Sequence, residues 1–216
     1  GCRMKCCVNS PLANSACTNA RAAAQDRPAR CAVPLPSPID EKYLALSREH
    51  ISAALRKILE PRPDGRILEI GPKLGWPGFE TLDINSTEQP TYVADITKYN
   101  PSISSARYDI VICMSVLEHT LEPVKALAEI RRLLRDGGLL VAQTPLNFRQ
   151  HGPQPDLWRF THNGWKYLLR DWDDVKIDAL DTPERTLFPI AYVVTARCNK
   201  AKITMPDEFR ADWIDR

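Results

Sequence analysis

The sequence predicts an α/β fold built on a mostly parallel sheet, and three observations carry that prediction. Strand-like and helix-like segments alternate through the middle of the chain. A glycine turn, Gly71-Pro72-Lys73-Leu74-Gly75, follows directly on the apolar run Ile67-Leu-Glu-Ile70. Two later strand-like segments, Thr81-Leu-Asp83-Ile and Tyr92-Val-Ala-Asp95-Ile96, each carry an acid near the carboxyl end. Alternation of this kind places ligands at the carboxyl ends of the strands. A glycine turn lets backbone approach a ligand closely, and a carboxylate at the next strand end can hold the two hydroxyls of a ribose, so an adenosine-bearing ligand is the first expectation.

The elements follow in order. Residues 38–60 place Leu44, Ile51, Leu55, Ile58 and Leu59 on one side of a helix, and Ser37-Pro38-Ile39-Asp40 has the form of a capping box with proline in the first turn. Arg66–Ile70 is a buried strand. Only nine residues separate Gly71 from Thr81, and the seven residues Asn85 to Thr91 lead to the third strand, Tyr92–Ile96. A parallel crossover usually takes a dozen or more residues with a helix. A five-residue strand is roughly 17 Å long and seven extended residues reach roughly 24 Å, so a bare return is geometrically allowed and no helix is expected in either link. That half of the sheet then needs cover, either from the helix at 38–60 or from a second copy in a homodimer through the uncovered face.

Tyr108-Asp-Ile-Val-Ile-Cys113 is the continuous apolar run of a central strand covered on both faces. The following segment places Val124, Leu127, Ile130 and Leu134 on one helical stripe, with Pro123 in the first turn and Gly137-Gly138 as the stop. Leu139–Thr144 reads as the fifth strand. Thr161 is suited to cap a helix through Trp165, Leu168 and Leu169, and Val175–Leu180 and Ala191–Ala196 read as two further strands.

The length of 216 residues suits one domain, and 44% hydrophobic composition is ordinary for a folded core. No apolar run approaches the ~20 residues that span a bilayer. Residues 1–38 hold five basic groups and one acid, which leaves 24 basic and 26 acidic residues in the remainder. A body of that charge has no phosphate-backbone footprint, so nucleic acid is excluded as a partner. Residues 1–37 are alanine-rich, basic, proline-punctuated and without periodicity, and read as a disordered tail. Five of the seven cysteines, Cys2, Cys6, Cys7, Cys17 and Cys31, lie there without paired zinc-site spacing, while Cys113 and Cys198 fall in core strands, so neither a disulfide framework nor a metal site is expected. A cytoplasmic location is the first expectation. The acid-poor tail has the composition of an organelle transit peptide as the alternative, and Lys5 stands where a myristoylation pattern needs Ser or Thr. Residues 199–216 read as a C-terminal tail, with Phe209 and Trp213 spaced to anchor it.

The segments Ile67-Leu-Glu-Ile-Gly-Pro72, Thr81-Leu-Asp-Ile84, Tyr108-Asp-Ile-Val-Ile-Cys-Met-Ser-Val-Leu-Glu-His119 and Ile130-Arg-Arg-Leu-Leu-Arg-Asp-Gly-Gly-Leu-Leu-Val141 together resemble the class I S-adenosylmethionine-dependent methyltransferases. The segment His151-Gly-Pro-Gln-Pro-Asp-Leu-Trp-Arg-Phe-Thr161 is similar to one subgroup of that family. The resemblance covers about residues 64 to 198. It implies a Rossmann-like, mostly parallel seven-stranded sheet with an antiparallel edge pair, here with helices missing or reduced after the first and second strands.

It further implies S-adenosylmethionine as cofactor and a small-molecule acceptor. Glu69, Gly71, Pro72 and Gly75 would belong to the loop beside the methionine part, and Asp83 would hold the ribose hydroxyls. Asp95 and Ile96 would border the adenine, and Met114, Ser115 and Val116 would line the cofactor pocket. Lys73 stands where the family commonly has a further glycine.

The residues also suggest catalytic candidates. His119 follows the fourth strand near the expected methyl group and His151 opens the post-strand loop, and imidazole can move protons near neutrality. Asp156 and Arg159 bracket Trp158, either as a polar pair with an aromatic platform for the acceptor or as a salt bridge that fixes the loop. His50 and His162 read as surface residues. Two other classes compete: a methyltransferase-like domain that has lost cofactor binding, and a nicotinamide-dependent oxidoreductase, against which the missing G-x-G-x-x-G and helix weigh.

Overall fold

Strands β1 (Ile67–Ile70), β2 (Glu80–Asp83), β3 (Tyr92–Val93), β4 (Tyr108–Met114), β5 (Leu134–Pro145), β6 (Trp172–Thr182) and β7 (Arg185–Cys198) form one sheet in a computed structural model. The structure describes residues 38–59, 65–72, 76–153, 155–182 and 185–203. The strand order is β3-β2-β1-β4-β5-β7-β6. The first five strands run parallel, and β7 lies antiparallel between β5 and β6, giving the expected edge pair. The tail expected at residues 1–37, Lys73 and Gly75 of the glycine turn, and the expected anchors Phe209 and Trp213 lie outside the described residues.

Strand alternation divides the core in two. One face carries Leu68, Ile70, Val111, Cys113, Leu140 and Ala142, and packs against the helices α2 (Pro123–Leu133) and α3 (His162–Leu168) through Leu127, Ile130 and Trp165. The other face carries Ile67, Ile110, Ile112, Met114, Leu139 and Val141. Its cover is the predicted N-terminal helix, α1 (Pro38–Leu59), which packs there through Ile51 and Ile58 together with Trp76 and Phe79. Of the two covers expected for this face, the helix at 38–60 or a second copy, the helix packs on it.

Several sequence boundaries shift. The third strand covers Tyr92–Val93 and stops short of Ile96, because Asp95 and Thr97 turn the chain through local hydrogen bonds. No α-helix occupies the described part of either short link, but Ser86–Glu88 forms one 3₁₀ turn capped by Asn85. Val124 is exposed, and the buried stripe of α2 is Ala126, Leu127, Ile130 and Leu133. The glycine pair does not stop that helix. The chain turns extended at Leu134, and Gly137, at φ +70°, and Gly138 lie inside β5 where its register against β4 shifts. A Cβ on Gly138 would lie 2.9 Å from the Arg135 carbonyl oxygen and 3.2 Å from that of Asp109, so the glycine permits close backbone approach rather than helix termination. Thr161 caps α3 as predicted, its hydroxyl accepting from the Gly164 N–H at 3.0 Å. The segment after β7 is docked at its start: Lys202 donates to the Trp172 carbonyl and pairs with Asp173, and Arg131 donates to the carbonyls of Asn199 and Lys202. No described helix is long and apolar enough to cross a membrane.

Candidate active site

Two cavities open at the carboxyl ends of the parallel strands, where a doubly wound sheet leaves a crevice. The first, about 640 Å³, runs along the ends of β1, β2 and β3 to the segment after β4. Gly71, Pro72, Asp83, Asp95, Ile96, Ser115 and Val116 line it, so seven of the ten expected cofactor residues meet in one place. The second, about 680 Å³, is bounded by Arg48 and Ile51 of α1, by Met114 and Gln143 at the ends of β4 and β5, and by Phe148, Arg149 and His151 of the following loop. Ser115 lines both.

Local chemistry explains the shape of the first cleft. Gly71 sits at φ +66°, and a Cβ there would come within 2.5 Å of a Val116 methyl, so only glycine lets β1 turn beneath the segment after β4. Asp83 faces the cleft while its Oδ1 accepts from the Asn85 N–H at 2.7 Å, which fixes the carboxylate at the strand end. Burial works against ionisation of Asp95, but the Thr97 hydroxyl and N–H and the Lys98 ammonium together hold its carboxyl below the usual range. Ile84 and Leu121 are 71% and 74% exposed on the lip of this cleft, an apolar rim that sequence reasoning missed because neither lies on a periodic stripe.

The boundary between the cavities is built from one 3₁₀ turn and one loop. Ser115 adopts φ +51°; its N–H donates to the Gln143 carbonyl at 2.9 Å, and its hydroxyl lies 2.8 Å from the Gln143 side-chain oxygen. The turn Leu117–His119 follows. The loop after β5 docks on this turn, since the Leu157 and Trp158 N–H groups donate to the Glu118 carbonyl and the Trp158 indole donates to that of Thr120. His119 and His151 meet edge to face with centroids 4.8 Å apart. His119 lines the first cleft and His151 the second.

A sequence profile described as "Methyltransferase domain" matches residues 43–174, more than half of the chain. The chain belongs to the methyltransferase-domain family. Its fold is shared by solved structures of low identity. An S-adenosylmethionine-dependent methyltransferase from Archaeoglobus fulgidus is 18% identical at a TM-score of 0.55, over 69% of this chain and 94% of that one. The PH0226 protein from Pyrococcus horikoshii is 15% identical at 0.51, over 78% and 97%. The CurJ carbon methyltransferase is 21% identical at 0.48, and the match covers 67% of this chain but only 51% of CurJ. No curated protein matches the sequence. Family membership carries S-adenosylmethionine-dependent methyl transfer as the activity of this methyltransferase.

Not every expected residue of the methyltransferase reaches a cavity. Glu69 is buried within β1 and lines neither; Met114 lines the second cavity instead of the first. Asp156 and Arg159 also line neither. Arg159 forms a two-pronged pair with Asp156 at 2.5 and 2.8 Å, and the His151 N–H donates to the same carboxylate at 2.9 Å. That guanidinium holds the Asp156 carboxyl well below the usual carboxylate range. Of the two readings of this pair, the geometry matches the salt bridge that fixes the loop. Trp158, expected as a platform, stacks on Phe160 outside both cavities.

Proposed function

We propose that this methyltransferase moves a methyl group from S-adenosylmethionine in the first cleft to a small anionic acceptor in the second, with Ser115 at the crossing point. The observation that carries the reading is that the two cavities share Ser115 at the end of the central strand. The first cleft suits an adenosine-bearing group: a carboxylate at the end of β2, a glycine cradle that a Cβ would fill, and apolar walls at Ile84, Ile96 and Val116. Asp83 would hold the ribose hydroxyls, Asp95 and Ile96 would border the adenine, and Gly71 and Pro72 would lie against the methionine part, with Gly75 in the same loop. S-adenosylmethionine supplies a methyl group on a sulfonium whose departure leaves a neutral thioether.

The chain's own task is then alignment and exclusion of water. Ser115 and Gln143, bonded to each other, form a rigid rim between the cavities. Among the described residues the second cavity is lined by Arg48 and Arg149 and by no carboxylate, a balance that favours an acceptor carrying negative charge. A proton lost by that acceptor would leave toward His151 in the same cavity, with His119 beside it on the first-cleft side of the boundary.

Calorimetry with S-adenosylhomocysteine tests the cofactor half. Asp83→Ala removes a charged acceptor of two hydrogen bonds and is expected to weaken binding by about 1.5–3 kcal/mol. An unchanged Kd would remove Asp83 from the site. Incubation of cell extract with methyl-labelled cofactor tests the acceptor half. The labelled product is expected to bind an anion-exchange resin and to disappear with Arg149→Ala while S-adenosylhomocysteine affinity stays within about twofold. A labelled product whose unmethylated parent flows through the resin would contradict an anionic acceptor.

A further inference from the structure

We propose that Glu118, His119 and His151 form a binding site for a first-row divalent metal ion at the wall between the two cavities. One ligand atom from each of the three lies within 4.8 Å of the others. Both imidazole Nε2 atoms face the same carboxylate oxygen: Glu118 Oε1 is 3.8 Å from His119 and 3.7 Å from His151. Those separations exceed hydrogen-bond length. They lie within a few tenths of an ångström of the roughly 3.4 Å between neighbouring ligands when bonds of about 2.1 Å meet at a tetrahedral ion.

The far nitrogens of the same rings supply a second, independent argument. His119 Nδ1 is 2.9 Å from the Pro155 carbonyl oxygen, which can only accept, so Nδ1 carries the proton and Nε2 presents its lone pair when the ring is neutral. His151 Nδ1 is 3.1 Å from Asp156 Oδ2, and Asp156 is itself clamped by Arg159. The carbonyl on His119 is the outer partner that fixes the tautomer of a metal-bound imidazole, and the buried Asp156 carboxylate lies close enough to His151 to take the same part once that ring turns into line with it. The Asp156–Arg159 pair thereby acquires a purpose beyond loop fixation: it orients His151.

The donor set names the class of ion. Two imidazoles and one carboxylate suit zinc, cobalt, nickel or iron(II), whereas magnesium and calcium take oxygen ligands. Three protein ligands leave coordination positions open, and with His119 on one cavity and His151 on the other those positions belong to the shared wall. With an ion in place, the two histidines act on an acceptor through the metal rather than as free bases.

Cobalt(II) is the probe, because its visible absorption reports coordination. The chain is first stripped with chelator and its thiols alkylated under native conditions, so that cysteines do not compete for the metal. One cobalt per chain is expected, with visible bands and a raised melting temperature. His119→Gln, His151→Gln and Glu118→Gln are each expected to weaken uptake by about 100-fold, and Asp156→Asn by about 10- to 100-fold through the orientation of His151. Asp83→Ala is expected to leave cobalt uptake unchanged while weakening S-adenosylhomocysteine, so the metal site and the cofactor reading fail or stand separately. Should Glu118→Gln fail to fold, the two histidine variants, both at cavity walls, carry the test alone. Absence of stoichiometric uptake by the wild-type chain, or uptake that the histidine variants leave intact, would overturn the proposal.

Discussion

At Gly71 two separate constraints act on one residue. Its φ of +66° is disfavoured for any side chain, and a Cβ would collide with Val116 at 2.5 Å. Gly71→Ala is therefore expected to destabilise the fold by about 2–3 kcal/mol and to weaken S-adenosylhomocysteine binding, because relief of the collision must shift Val116, which lines the first cleft. Adding Val116→Ala removes the collision but not the φ penalty, so urea denaturation of the double variant should recover only part of the loss. Complete recovery would show that the backbone conformation costs nothing there. The glycine itself was legible in sequence, since a strand followed by Gly-Pro leaves few other conformations. Its partner Val116 was placed in the pocket by resemblance alone. Ile84 and Leu121 were not legible, because nothing about an isolated aliphatic residue says which surface it rims.

At the scale of elements, the sheet is stapled at the end opposite the site. Glu80 opens β2 and accepts from Arg107 at 2.6 and 3.2 Å, from Tyr108, and from Tyr92 at 3.1 Å, so that one carboxylate joins the starts of β2, β3 and β4. Chiefly the Arg107 guanidinium, with the two phenols, outweighs desolvation and lowers the Glu80 pKa to about 2. A carboxyl depressed in the folded state stabilises the protein above its unfolded pKa, near 4.5, and loses that contribution as pH falls toward about 2. Wild type should thus lose about 1–2 kcal/mol across that window, after allowance for solvent screening of a pair at the surface, and Glu80→Gln should flatten the curve there. Equal slopes for the two proteins in acid unfolding would contradict the assignment. Sequence showed β2 by its apolar core and terminal acid but gave Glu80 no role, because its three partners come from residues 12 to 28 positions away. The glycine pair after α2 misled for the opposite reason. Its local signal matched a helix stop, and only the packing of β5 against β4 shows that the space beside Gly138 is filled by backbone.

For the whole molecule, the consequence of two short links is that one sheet face depends on α1. Ile51 and Ile58 pack over Ile67, Ile110, Ile112 and Val141 with Trp76 and Phe79. Replacing both isoleucines by Asp should lower stability by several kcal/mol and raise self-association at a given concentration in analytical ultracentrifugation, since an apolar sheet face would be uncovered. A variant as stable and as dispersed as wild type would show that α1 is not the cover.

The sequence by itself determined the class of fold, the order of its elements and the acids and glycine at the strand ends, because those follow from periodicity and from the few residues that tolerate a tight turn beside a ligand. It also marked His119 and His151 as candidates. Only the tertiary structure decided that these two rings meet around the buried Glu118 carboxylate, that Asp156 and Arg159 stand behind them rather than in a cavity, and that Ser115 lies where the two cavities touch. Those relations join residues 28 to 38 positions apart, and a distance across folded strands leaves no trace in local pattern.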